Sequence, residues 1–283
     1  MKIAAIQMSS TDQVEDNLKT IERWVMEAAI RGASLVVLPE NVAFMGKTEI
    51  DKLKIAEKFG TGLIQDFLAN LARKLEIWLV GGTIPILVEE GQGQGQSQSY
   101  DPNRVYSTSL VWNNEGNIVA RYDKIHLFDV QVQLKIEEYV ESRTICPGNE
   151  DNIVTVDSPL GKLGLSICYD LRFPELYRVL FAQGAEIMLV PSAFTAITGQ
   201  AHWEPLLRAR AIENFSYVLA PNQTGVHANG RTTYGHSMIV DPWGKILAEC
   251  SEGEGIVMAE IDLNYLNDLR RRFPVASHRR IVF

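Results

Sequence analysis

Apolar residues in this chain come in short packets. No uninterrupted run of Ala, Val, Ile, Leu, Met, Phe, Trp, Tyr or Cys exceeds four residues, far short of the ~20 that a membrane-spanning helix requires. Most packets are rich in β-branched residues and end in Gly, Pro or a polar side chain, the pattern of short buried strands. KIAAIQM (2–8), SLVVLPE (34–40), IWLVGGTIPI (77–86), VYSTSLVW (105–112) and NIVARYDK (117–124) come first. IVTVD (153–157), KLGLSIC (162–168), IMLVPS (187–192), YVLAPN (217–222), HSMIVD (236–241), KILAEC (245–250) and GIVMAEID (255–262) follow. Between them lie helical periods. Val14, Leu18, Ile21, Val25 and Ala28 mark one helix face, with Asp12 and Glu15 as a capping pair and Gly32 as the stop. Further helices fit at 62–74, 174–183, 202–214 and 263–272. Asn114-Glu115-Gly116 makes a tight turn, so the strands beside it form an antiparallel hairpin. The sum predicts an α/β fold in which a two-layer sheet sandwich is flanked by helices.

At 283 residues and 46% apolar composition, one large domain can bury about three quarters of its unfolded surface without staples. The net charge of −8 argues against a polyanionic partner such as nucleic acid, which selects a basic face. The basic cluster at 270–272 and 279–280 reads as a solvated helix end. Cys146, Cys168 and Cys250 form no CxxC pair, so neither a disulfide framework nor a cysteine zinc site is expected. The histidines (126, 202, 227, 236, 278) lack ligand spacing, and no metal or other cofactor is expected. His126 and His202 read as residues that orient loops. GQGQGQSQS (91–99) is the one low-complexity segment and reads as an inter-strand loop. Lacking a secretory signal, the chain is expected in the cytoplasm.

Three polar side chains stand where such a fold collects chemistry, at strand ends. Cys168 closes KLGLSIC and precedes a turn into a helix, where backbone N–H groups lower a thiol pKa and can hold an oxyanion. Glu40 ends LVVLPE and Lys124 ends VARYDK. A carboxylate can take a thiol proton and an ammonium can steady an oxyanion. Taken singly, Cys168 reads as a buried structural thiol, Glu40 as a surface carboxylate and Lys124 as a solvated lysine. Their spacing alone does not decide between the readings.

LVVLPEN (35–41), RYDKIHLFD (121–129) and GLSICYDLRFPE (164–175) resemble the three signatures of the nitrilase, or carbon–nitrogen hydrolase, superfamily. The resemblance covers about residues 1–263, taken as the hydrolase domain, with 264–283 as a C-terminal tail. It implies an α-β-β-α sandwich with mixed sheets, Glu40 as general base, Lys124 as stabiliser of the tetrahedral intermediate and Cys168 as nucleophile. YVES (139–142) matches the family's second glutamate and points to Glu141. TGQAHWEPLLRARAIEN (198–214), TTYGHSMIVDPWG (232–244) and the 261–280 segment are similar to the deaminated-glutathione amidase branch more than to the neighbouring ω-amidases. That implies hydrolysis of a linear carboxamide through a cysteine thioester. The expected substrate is deaminated glutathione, cleaved to 2-oxoglutarate and Cys-Gly. Action on 2-oxoglutaramate, true nitrile hydrolysis and a non-catalytic interaction protein of the same fold are the alternatives. The Tyr169 N–H is expected to share the oxyanion, and Arg172 to anchor a substrate carboxylate or else pair with Asp170 or Glu175. Thr198 is placed in the same pocket. The resemblance also implies a homodimer, with the tail at its interface.

Overall fold

The computed structural model of the protein describes residues 1–89, 101–133 and 137–281. The Gly/Gln/Ser segment 91–99 lies outside them. Two mixed sheets form the centre. In the first, Gly255–Glu260 runs antiparallel to Lys2–Gln7, which is followed in parallel by Ala33–Val37 and Trp78–Val80. The strand Val105–Trp112 is buried over its whole length. It pairs along one edge with Trp78–Val80 and then Ile84–Leu87, and along the other with Ile118–Asp123 and Ile145–Cys146. The second sheet runs Thr155–Ser158, Gly161–Leu165, Ile187–Leu189, Tyr217–Ala220, Ser237–Val240 and Ile246–Cys250.

Side-chain alternation explains why the sheets stack into four layers. Ile3, Ala5, Leu35 and Val37 point into a core shared with Leu163, Leu165, Ile187 and Leu189 of the second sheet. Ala4, Ile6, Val36 and Leu38 point the other way, onto Leu18, Ile21, Val25, Leu68 and Leu71 of the helices Val14–Ile30 and Leu63–Leu75. With both faces covered, period-two alternation of polarity disappears and the strands read as continuous apolar runs. Each buried Leu, Ile or Val among them contributes roughly 1.5–3 kcal/mol by leaving water. On the far side, Pro174–Ala182 and Ala196–Asn214 cover the second sheet with Leu176, Tyr177, Leu180, Trp203 and Leu207. The order of layers is therefore helix, sheet, sheet, helix, as expected.

Several local expectations need correction. The run 77–86 is two strands, because Gly81 and Gly82 turn the chain between them. Gly82 has φ +58°, and a Cβ there would stand 1.9 Å from the Pro39 carbonyl oxygen. The first helix is not capped by Asp12. Gln13 precedes it without a side-chain cap, and Asn17 fixes its entry by accepting from Thr11 N at 2.8 Å and donating to Thr11 O at 2.9 Å. The helix expected at 202–214 begins at Ala196, with Thr195 as its cap and Pro205 inside it. Two polar ribbons stand outside the sheets, Asp129–Gln133 with Glu137–Val140 and Thr224–Val226 with Thr232–Tyr234. The helix Leu263–Arg272 buries Leu266 and Leu269. Its Arg270 is no solvated end, since the guanidinium donates to the carbonyls of Phe215 at 2.9 Å and Ala185 at 2.6 Å. From Phe273 onward the described chain is mostly exposed.

Candidate active site

The strand Gly161–Leu165 delivers Cys168 to a 3-10 turn, Cys168–Arg172, that leads into the helix beginning at Pro174. Cys168 sits in the left-handed region at φ +47°, a conformation that costs a non-glycine residue of order 1–3 kcal/mol and persists only where its surroundings enforce it. Two features enforce it here. Cys168 N donates to Pro191 O at 3.0 Å. The wholly buried Asp170 accepts from Ile167 N at 2.8 Å, Tyr122 Oη at 2.7 Å and His126 N at 3.2 Å, and its Oδ1 also meets His126 Nδ1 at 2.7 Å. Asp170 thus ties the turn at Cys168 to the segment that carries Lys124.

Glu40 leaves the strand Ala33–Val37 through Leu38-Pro39, and the next residue, Asn41, reverses the chain at φ +55°. One Glu40 oxygen accepts from Lys124 Nζ at 2.8 Å and the other from Ala193 N at 2.8 Å. Its carboxylate also interacts electrostatically with the Cys168 thiol. Lys124 follows the strand Ile118–Asp123. Its backbone is held on both sides, N donating to Ser107 O and O accepting from Gly148 N. Its ammonium reaches both oxygens of Glu141 at 3.0 and 2.9 Å. Glu141 in turn accepts from Phe128 N at 2.7 Å. Glu40, Lys124 and Cys168 are 3%, 1% and 6% exposed.

Burial of this kind makes the charges interdependent. Desolvation alone would lower the Lys124 ammonium, but Glu141 and Glu40 outweigh it and hold the pKa well above the ordinary lysine range. Desolvation alone would raise Glu40, yet Lys124, with the Cys168 thiol, keeps its carboxyl below the usual value. The Cys168 thiol is pushed far up, first by burial and then by the Glu40 charge beside it. The resting site therefore holds a neutral thiol next to an ionised carboxylate and a permanent cation. A thiol in that state reacts only as its proton is removed, and Glu40 stands ready to remove it.

These groups form the floor of a cleft of about 650 Å³. Of the residues singled out in the sequence, Glu40, Lys124, Glu141, Cys168, Tyr169 and Thr198 line it. Thr198 is fixed by a 2.7 Å contact between its hydroxyl and that of Thr195. Arg172 is not in the lining. It lies against His202 Nδ1 at 3.2 Å and over the rings of Phe194 and Tyr169. Neither Asp170 nor Glu175 appears as its partner. The cleft instead presents Arg231 from the turn between the strands of the second ribbon. Polar ribbon sequence carries no strand-end signal, so Arg231 escaped the sequence reading. Among the described residues, no group of three His, Cys, Asp or Glu side chains is placed to hold a metal ion, and no helix is long and apolar enough to cross a membrane.

A thiol, a carboxylate and a buried ammonium converge at the edges of a four-layer sandwich. Residues 2–271 match the carbon–nitrogen hydrolase family, and the chain belongs to it. It is 45% identical to human deaminated glutathione amidase over 279 residues, which is 98% of this chain and 82% of that protein. Among solved structures, the NitFhit protein of Caenorhabditis elegans superimposes with a TM-score of 0.86 at 41% identity, over 99% of this chain and 65% of that one. Saccharomyces cerevisiae Nit3, a member of branch 10 of the nitrilase superfamily, gives 0.85 at 34% identity, over 99% and 97% of the two chains. The chain is an enzyme of the nitrilase superfamily.

Proposed function

We propose that this enzyme is an amidase that hydrolyses deaminated glutathione to 2-oxoglutarate and Cys-Gly. The observation that carries the chemistry is the convergence of Cys168 with the hydrogen-bonded Glu40, Lys124 and Glu141 in one cleft lining. The substrate rests on the likeness to the human deaminated glutathione amidase. Glu40 takes the thiol proton as Cys168 Sγ adds to the amide carbonyl carbon. The new oxyanion is met by the Lys124 ammonium and the N–H of Tyr169. The carbon–nitrogen bond then breaks as Glu40 returns the proton to the departing amine, leaving a thioester. Water attacks the thioester, Glu40 takes a proton from that water, and release of the acid restores the thiol. Lys124 is fixed before the reaction begins, so little reorganisation is needed as charge develops. Glu141 positions that ammonium.

The reading includes a homodimer, supported by an exposed apolar patch in which Trp243 meets Phe273 at 5.7 Å between ring centroids and Ile212 packs against Gly244. Sedimentation of the intact chain checks this. Three free thiols suit a reducing compartment, which supports the cytoplasm. The deciding experiment compares turnover of deaminated glutathione, 2-oxoglutaramate and a simple nitrile, with Cys168→Ala as the blank. A preference for the first of at least about a hundredfold in kcat/KM, about 2.7 kcal/mol, is expected. A preference for the nitrile would overturn the amidase reading, and a preference for 2-oxoglutaramate would reassign the substrate.

A further inference from the structure

Arg231 is built into the cleft wall with more donors than the protein uses. It closes a turn that is fastened from both ends. His227 N donates to Arg231 O at 2.9 Å, Gly230 N to His227 O at 2.8 Å and Arg231 N to Asn229 Oδ1 at 2.9 Å. The buried His227 ring anchors the turn to the body of the protein through Ser10 O at 3.0 Å and Thr233 Oγ1 at 2.7 Å. The guanidinium lies over the Tyr139 ring, 5.0 Å from its centroid. One Nη donates to the carbonyl of Ala193, the residue whose N–H holds Glu40. Arg231 Nε is buried and has no hydrogen-bond partner among the described residues.

The guanidinium is only half-buried and lines the cleft, and three of the carboxylates in that lining are already matched. Glu40 is held by Lys124 and Ala193, Glu141 by Lys124 and Phe128, and Glu49 by Lys52 at 2.7 Å. We propose that Arg231 is the specificity-determining anchor that receives a carboxylate of the substrate, through the Nη edge of the guanidinium that lines the cleft. A guanidinium offers that planar fork, which a lysine does not. The stacked Tyr139 and the fastened turn hold the fork in place before substrate arrives, so little order is lost on binding. The position also sets the scale of what is recognised. Ala193 bridges Arg231 to Glu40, so the anchored carboxylate belongs to the part of the substrate near the reacting carbonyl. The proposal rests on the amidase reading above and deepens it by naming the residue that selects anionic amides. Deaminated glutathione carries a carboxylate on each side of the scissile amide, and the test separates the two.

The test uses binding as well as turnover, so that a failure of the amidase reading does not hide the answer. In the Cys168→Ala protein, calorimetry with 2-oxoglutarate and with Cys-Gly is compared with and without Arg231→Gln. Loss of at least tenfold in affinity for 2-oxoglutarate assigns the fork to the acyl carboxylate, and the same loss for Cys-Gly assigns it to the amine side. In the enzyme with Cys168 intact, Arg231→Gln is expected to raise KM for deaminated glutathione at least tenfold. Its kcat should fall by much less than KM rises, and on uncharged butyramide the loss in kcat/KM should be at least tenfold smaller. Arg231→Lys recovers little, because it restores charge without the fork. Equal binding of both products with and without Arg231→Gln, absence of binding to either protein, or an equal loss on butyramide would overturn the proposal. Failure of the intact enzyme to hydrolyse any of these amides, with Arg231-dependent product binding retained, would overturn the amidase reading and leave the anchor standing.

Discussion

The ammonium of Lys124 is 1% exposed and shared between two carboxylates, Glu40 at 2.8 Å and Glu141 at 2.9 Å. Replacing Glu141 by Gln keeps the shape and one oxygen for Lys124 but removes a charge. At an effective dielectric near 20, a pair at that separation attracts by roughly 5–6 kcal/mol, much of which desolvation cancels. Orphaning a buried charge completely costs about 3–5 kcal/mol. Because Glu40 keeps Lys124 paired, Glu141→Gln should cost about 1–3 kcal/mol of stability. At roughly 2–4 °C per kcal/mol for a domain of this size, Tm falls by about 2–12 °C. The effect on rate is larger. With one partner gone, Lys124 is drawn wholly to Glu40, which weakens the base and pulls Nζ away from the developing oxyanion. Loss of one such donor costs about 2.7–4 kcal/mol, so kcat should fall by roughly 10²–10³ while KM moves only a few-fold. Steady-state release of 2-oxoglutarate, with calorimetric melting of the same samples, reads both quantities. A variant that melts lower yet keeps kcat within threefold would show Glu141 to be structural and refute the account of how the ammonium is positioned.

Two other perturbations follow from the same geometry. Asp170→Asn removes a buried anion that holds Ile167, Tyr122 and His126. It should cost about 3–5 kcal/mol in thermal or denaturant unfolding, and an unshifted unfolding curve would contradict the role given to Asp170. His227 is held below its ordinary pKa, chiefly by burial. The folded state therefore takes up its proton less readily than the unfolded state. Its contribution to stability is full above about 6.5, the unfolded value, and is lost as pH falls through the folded value. Tm should drop on acidification below neutrality and drop less in His227→Gln; equal slopes in the two proteins would refute it.

What was legible in the sequence was what apolar patterning and strand ends encode. Glu40, Lys124 and Cys168 each close a short apolar run, and the fold brings those ends together. Glu141 was reached only through its motif, since it lies past the end of a short two-stranded ribbon and not at the end of a buried apolar run. Arg231 carried no signal for the same reason: it is placed by backbone turns and by the buried His227, neither of which leaves a period in the sequence. Arg172 looked like the anchor because it follows the nucleophile by four residues, but the 3-10 turn directs it onto His202 and the Phe194 ring. The Gly81-Gly82 break hides inside an apolar run. Its cause is the close approach of Gly82 to Pro39, a contact between residues far apart in sequence. The early start of the helix Ala196–Asn214 was masked by its weak apolar period and by Pro205.

The two ribbons give this enzyme an uneven rigidity. Lys124 and Cys168 follow strands of the two central sheets, whereas Arg231 sits on the turn of a two-stranded sheet and Glu141 just past another. Two strands alone are only marginally stable, and units of that kind open below the global unfolding energy. Amide hydrogens of Val105–Trp112 and Ile187–Leu189 should therefore exchange only on global unfolding, while those of Thr224–Val226 exchange earlier. Under the proposed mechanism, substitutions in the ribbons should therefore alter which amide is admitted more readily than they alter the bond-breaking step at Cys168.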